Sequence, residues 1–349
     1  MLPPPKKASG CPRNRTILSS LVDMLAGVAN SMNFRASRRS VDLRLQASPL
    51  AHRPLLPLLR HMLLGFFALG LLSTSAFAEN RMYCYQKVTE PGATGGGKIL
   101  VNGFTIEVKP IPADVPGYMV CQATVTSPEG KIVYEKDEWG MEIDPVTGKD
   151  VNGDGQPDAV LVSFSGGAHC CWTYHIVSLG KNPGLIREFE NRSTASFTDL
   201  RGDGHIEILI RDGSFDEGFR LDHAFSVFPL LIVQLKGKEF VDVGSQHWPV
   251  FEKEIQKKRS KLNDQQLQEF VHSNPDEIRD DLDYLKTKSD ILFIVLDYLY
   301  AGRHGLARRV LGKQWPLDFQ EVTWKEMVSG YCTGLRAHLE LESSAPCGE

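Results

Sequence analysis

The chain has 349 residues, 42 % of them hydrophobic, long enough for two or three ordinary domains and apolar enough to bury a core. That composition excludes a disordered chain. Its 39 Lys and Arg against 43 Asp and Glu give a formal charge of −4, which becomes −12 without residues 1–78, and that acidic balance disfavours a phosphate backbone or an anionic membrane surface as partner.

The first informative segment is the apolar run Leu63–Leu72, about ten residues and too short to span a bilayer. Arg60 and His61 flank it upstream, and Ala76-Phe77-Ala78 downstream has the small-x-small pattern of a signal-peptidase site. The reading is a leader over 1–78 with its hydrophobic region at 62–78, cleaved after Ala78, and a chain exported to the periplasm or the cell exterior without a stable membrane span. Residues 1–61 are Pro-, Arg- and Ser-rich, unusual ahead of a secretory signal, so a start at Met62 or another internal Met stays open, as does a long basic leader or membrane anchor. Removing 1–78 takes ten Lys and Arg and two Asp and Glu from the totals, leaving 29 against 41 and a formal charge of −12. The best basic patch that remains, Lys253 to Lys261, reads as a solvated helix face. Cys11 falls in the leader, and the other cysteines form an even set suited to an oxidising compartment. Cys84 with Cys121 and Cys332 with Cys347 are the expected pairs, although six cysteines allow about fifteen arrangements.

From 79 to 245, short runs rich in Val, Ile, Tyr, Phe and Thr alternate with Gly, Asp, Asn and Pro, which predicts roughly ten strands joined by turns. Phe104–Val108, Tyr118–Val125 and Phe225–Leu235, the last broken by Pro229, are the clearest. From 246 to 349 the sequence becomes charged and helix-forming. Helices are predicted around Gln265–Val271, opening at Pro275, over Asp290–Tyr300 ended by Gly302, over Gly305–Lys313, and over Glu321–Glu340. Asp290–Tyr300 has almost no polar face and is expected to be the most buried. The fold class is therefore α+β, an all-β region followed by a small helical one.

The strongest chemical motif is Asp150-Val151-Asn152-Gly153-Asp154-Gly155-Gln156-Pro157-Asp158. Alternate oxygen-bearing side chains on a tight turn converge on a hard cation, which needs six to eight oxygens. Asp150, Asn152, Asp154 and Asp158 are the candidate side-chain ligands, Gln156 could add its carbonyl, and Gly155 permits the turn. Position twelve is Leu161 rather than Glu, and a strand follows, so this is not an EF-hand. The competing reading is an Asx-rich turn that holds itself by hydrogen bonds. The pattern returns at Asp199-Leu200-Arg201-Gly202-Asp203-Gly204-His205-Ile206-Glu207, where Arg201 cannot ligate a cation and is expected to bridge Asp199, Asp203 or Glu207 in its place.

Over about residues 145–215 the chain resembles the FG-GAP or VCBS-type repeats of integrin-like β-propeller proteins. The resemblance implies blades joined by calcium loops, structural calcium on Asp150, Asn152, Asp154 and Asp158, and a partial propeller or sandwich, since only two copies are visible. It also implies a binding or scaffolding module with a protein or glycan ligand.

Between the two loops lies Ser165-Gly166-Gly167-Ala168-His169-Cys170-Cys171-Trp172-Thr173-Tyr174-His175. Strand alternation puts His169, Cys171, Thr173 and His175 on one face. A zinc site there, a vicinal Cys170–Cys171 disulfide with redox chemistry, and a cysteine nucleophile are the sharper alternatives. Asp212, Asp216 and His223 supply carboxylates and an imidazole for an exported hydrolase, but no nucleophile elbow, phosphate loop or HExxH motif accompanies them. Asn191-Arg192-Ser193 is a formal glycosylation sequon. No enzymatic activity is readable from these residues.

Overall fold

The computed structural model describes residues 82–86, 93–113, 119–167, 170–277, 279–342 and 345–347. The leader, its cleavage site, Cys11 and His169 lie outside them. Residues 79–349 form one compact unit.

Three sheets carry the strands. The first is an antiparallel meander of β3 (Gly97–Val101), β4 (Phe104–Pro112), β5 (Met119–Thr126) and β6 (Ile132–Glu138). The second runs β7 (Gly140–Ile143), β8 (Asp158–Gly167), β9 (Cys170–Ser178) and β10 (Gly184–Asn191), with β1 (Met82–Gln86) and β2 (Ala93–Gly95) added beyond β7. The third is the meander β11 (Ala195–Thr198), β12 (Glu207–Arg211), β13 (Leu230–Lys236) and β14 (Glu239–Asp242). Each therefore contains a four-stranded up-and-down unit, and among the described residues the sheets do not join into a closed barrel or ring.

The middle sheet is buried on both faces because β8 and β9 are apolar at successive positions rather than alternate ones. Ala159, Leu161, Val177 and Leu179 pack with Phe104, Ile106, Val108 and Val125 of the first sheet. Val160, Val162, Tyr174 and Ile176 face a second core that runs through Ile208, Ile210, Leu231 and Val233 into the helices. The Cys84–Cys121 disulfide ties β1 to β5 across the first of these cores, and Cys332–Cys347 fastens the C-terminal segment, both as expected.

The helical part comprises α1 (Trp248–Arg259), α2 (Asp264–Val271), α3 (Leu282–Tyr300), α4 (His304–Gln314), α5 (Gln320–Thr333) and the short α6 (Leu335–His338). Along α3, Ile291, Leu292, Ile294, Val295, Leu296 and Leu299 are wholly buried. At roughly 1.5–3 kcal/mol for each such side chain, packing rather than intrinsic propensity holds this helix. Among the described residues no helix is long and apolar enough to cross a membrane.

Three boundaries differ from the sequence reading. Phe225–Pro229 is not strand: a 3-10 turn covers His223–Phe225, and β13 begins only after Pro229, which has no amide to give a ladder. No helix opens at Pro275. Asn274 Oδ1 instead accepts the Asp276 amide, Lys288 Nζ donates to the Pro275 carbonyl, and Asp281 caps the longer α3 through the amides of Asp283 and Tyr284. The expected helix over Glu321–Glu340 breaks at Gly334, where a Cβ would sit 2.2 Å from Ser214 Oγ. That hydroxyl accepts the Leu335 amide and anchors the break.

Candidate metal centre

The loop from Asp144 to Pro157 joins β7 to β8, and its neck is closed by Gly148 N donating to Asp158 O and Asp158 N donating to Lys149 O, both at 2.8 Å. Inside it Asp150 works as a hub. Its Oδ1 accepts the amides of Gly153 (2.7 Å) and Asp154 (3.2 Å), and its Oδ2 accepts that of Gly155 (2.7 Å). Gly153 and Gly155 have φ of 76° and 80°, a left-handed backbone that a side chain would strain. Asn152 Oδ1 accepts Asp154 N, and Asp154 Oδ1 accepts Gln156 N. The loop is anchored beyond its own sheet by Gly237 N, in the β13–β14 turn, donating to Asn152 O at 2.8 Å.

Asp158 differs from the other carboxylates. Its side chain is 0 % exposed; Oδ2 accepts the amides of Val151 and Asn152, while Oδ1 is buried with no hydrogen-bond partner. Burial, reinforced by the charges of Asp154 and Asp150 and opposed by those two amides, pushes its carboxyl up to about 7. A buried acceptor left unmatched costs about 1–3 kcal/mol, so this oxygen calls for a cation or a proton.

The second loop occupies the same place in the third sheet, between β11 and β12, and repeats the wiring. Asp199 Oδ1 accepts the amides of Arg201, Gly202 and Asp203, and Oδ2 accepts that of Gly204. These amides hold its carboxyl below the ordinary carboxylate value. Glu207 stands where Asp158 stands: it is fully buried, and its Oε2 accepts Leu200 N. Here the second oxygen is matched. Arg201 lies 3.1 Å from Asp203 and 3.6 Å from Glu207 Oε1, which also accepts Gln234 Nε2 at 2.9 Å. Of the alternative partners expected for the Arg201 guanidinium, Asp203 and Glu207 are met, while Asp199 accepts only the Arg201 amide.

Among the described residues no three His, Cys, Asp or Glu side chains gather as a metal-holding group. The oxygens of the first loop that could serve a cation include the Asn152 amide and the Gln156 carbonyl, neither of which belongs to those residue types.

The other sequence candidates are placed differently. His175 is buried on β9, with Nε2 3.0 Å from Ser163 Oγ and Nδ1 3.1 Å from Glu188 Oε2. Burial lowers its pKa, against Glu188, so the ring is neutral. Nδ1 then donates to the carboxylate, and the Ser163 hydroxyl donates to Nε2. Both ring nitrogens are thereby occupied by protein partners. The chain of contacts has the wiring of a nucleophile, base and orienting acid, yet Ser163 is only 2 % exposed, so no substrate reaches the hydroxyl. Sequence reading missed this relay because its members sit on three strands, and their proximity follows from register.

Asp212 is wholly buried, accepting Ser214 N and the Tyr300 hydroxyl at 2.5 Å, and burial raises both the Asp212 and Tyr300 pKa values. It locks α3 to the β12–β13 connection and has no access to solvent. Asp216 accepts His223 Nδ1 at 2.7 Å and faces Arg192 at 3.5 Å, so these two sequence candidates do meet. The sequon residue Asn191 is buried, its Nδ2 donating to the carbonyls of Ser193 and Arg211 and its Oδ1 accepting Gly213 N. It presents no amide to a glycan.

The chain matches no protein-family model, no curated protein and no solved structure. The functional reading therefore rests on its own residues.

Proposed function

We propose that the chain is an exported binding or scaffolding protein of FG-GAP type, in which one structural calcium ion sits in the Asp150–Asp158 loop. The observation that carries this reading is the contrast between two loops that share the wiring of their first carboxylate to the amides at positions four, five and six. In the second, the buried position-nine carboxylate meets the Arg201 guanidinium; in the first, position three is Asn152, and Asp158 Oδ1 meets nothing. A cation on Asp150, Asn152, Asp154, Asp158 and the Gln156 carbonyl would supply the missing positive charge. Each loop joins the first two strands of a four-stranded meander, which suits the blade reading.

Calcium acts on stability in this proposal, not on chemistry: it pins the turn entering β8 and the contact to Gly237. The ligand is a protein or a glycan. Stacked Tyr83 and Tyr85, with ring centroids 5.6 Å apart and each nearly half exposed, offer a flat apolar surface with hydroxyl edges on β1. Calcium titration calorimetry on the chain from Glu79 tests the site: one site is expected, lost in Asp154→Ala, and the absence of binding to the unsubstituted chain overturns it. Amino-terminal sequencing of exported protein tests the leader, with Glu79 as the expected first residue.

A further inference from the structure

The basic run Lys253 to Lys261 leaves part of itself unexplained by a solvated helix face. Lys258 and Lys261 line an open cavity of about 430 Å³, together with Lys286 of α3. That volume lies in the range of small-molecule sites, roughly 300–1,000 Å³. Ala224, Phe225 and Leu262 give it apolar lining.

The charges are unevenly matched. Lys258 Nζ donates to Asp290 Oδ1 at 2.7 Å and lies 4.5 Å from the centre of the Phe293 ring, so this pair cancels within the wall. Among the described residues no carboxylate lies within ion-pair distance of Lys261 or Lys286. The remaining acid, Asp283, sits in the first turn of α3, a position that stabilises its negative charge without removing it from the balance of the cleft. Thr287, Ser289 and Gln266 add neutral hydrogen-bonding groups to the polar side. A cleft with one surplus positive charge, on a chain that is otherwise acidic, selects by charge at short range.

We propose that this cleft binds a small organic monoanion, a carboxylate on an apolar body, with Lys261 and Lys286 on the charge and Phe225 and Leu262 on the body. The proposal uses none of the residues of the calcium loop.

The experiment titrates the full chain with benzoate, benzamide and benzamidinium, three probes of nearly one shape and different charge, followed by amide chemical shifts. Benzoate is expected to saturate at a concentration roughly tenfold below benzamide, with benzamidinium weakest. Lys261→Gln with Lys286→Gln is expected to erase the preference without moving the melting temperature, since both side chains are exposed. Asp283→Asn is expected to tighten benzoate. Preferred binding of benzamidinium, equal binding of all three, or a preference for benzoate over benzamide that survives the double substitution would each overturn the proposal.

Discussion

The unmatched oxygen of Asp158 sets a quantitative test. A carboxyl held at about 7 instead of 3.8 is displaced by about three units, and at about 1.36 kcal/mol per unit the ionised, metal-free native state is weakened by on the order of 4 kcal/mol. The folded pKa lies above the unfolded one, so native stability is full below about pH 4, falls as pH rises toward about 7, and is flat beyond. Calcium reverses this where the carboxylate is ionised. At a concentration a hundredfold above its dissociation constant it adds about 2.7 kcal/mol, or roughly 5–10 °C in melting temperature for a unit of this size. At about pH 5 the ion must first displace a proton, costing roughly a hundredfold in affinity, and the shift shrinks to about 1 °C. The assay is thermal unfolding of the chain from Glu79 at about pH 8, where the carboxylate is ionised, and at about pH 5, in calcium and in chelator. Asp297 is also pushed up to about 7 by burial, but it lies outside the loop, so its effect cancels in the difference. Asp158→Asn keeps an acceptor for Val151 and Asn152 and is expected to lose the calcium shift while melting no lower in chelator. A calcium shift of equal size at both pH values, or one that survives Asp158→Asn, would refute the argument.

Arg201→Asn restores an oxygen at position three of the second loop; it is expected to cost about 1–2 kcal/mol in chelator, after allowance for the half-exposed guanidinium, and to add a second site in calcium calorimetry. An unchanged stoichiometry would show that Arg201 does not stand in a cation's place. Asp297 accepts Leu230 N through Oδ1 and leaves Oδ2 buried without a partner. Its raised pKa means that wild-type stability falls between about pH 4 and about pH 7, so Asp297→Asn should gain about 2–3 kcal/mol on wild type in urea unfolding between about pH 5 and about pH 8; a constant gap counts against it. Gly334→Ala forces a Cβ to within 2.2 Å of Ser214 Oγ and 2.5 Å of the Gly330 carbonyl, and is expected to cost about 2–3 kcal/mol by the same denaturation.

What could be read in the sequence was local. The oxygen spacing of Asp150–Asp158 with the turn glycine Gly155, and the defect at Arg201 in the second loop, each lie within a nine-residue segment, and hydrogen bonding within a turn depends on little else. The apolar surface of α3 was legible for the same reason, as was the β-to-α order of the chain. The break at Gly334 was not, because its cause is Ser214, more than a hundred residues away. The Pro275 boundary was misread because proline is equally at home in a first helical turn and in an Asx turn, and the side chain of Asn274 decides between them. The relay Ser163–His175–Glu188 and the cleft around Lys286 depend on register and on packing between elements, which a single sequence does not encode in any spacing.

The two loops show how one backbone solution tolerates two chemistries. A tight turn leading into a buried strand gathers amides around its first carboxylate, Asp150 or Asp199, and so sets the course of the backbone through the turn. The cost arises at the ninth position, where the strand enters the core and carries a carboxylate out of solvent. That charge needs a positive partner reaching in from the exposed side of the loop, and position three is the residue whose side chain can deliver one. With arginine there, the partner is covalently part of the chain and present under every condition. With asparagine, the same space holds no cationic side chain, and on the proposed reading a free cation would fill it and support the middle sheet, including its tie to Gly237 in the third. Exchanging the two residues, Asn152→Arg with Arg201→Asn, should therefore move the calcium requirement from the β7–β8 loop to the β11–β12 loop without changing the number of ions bound.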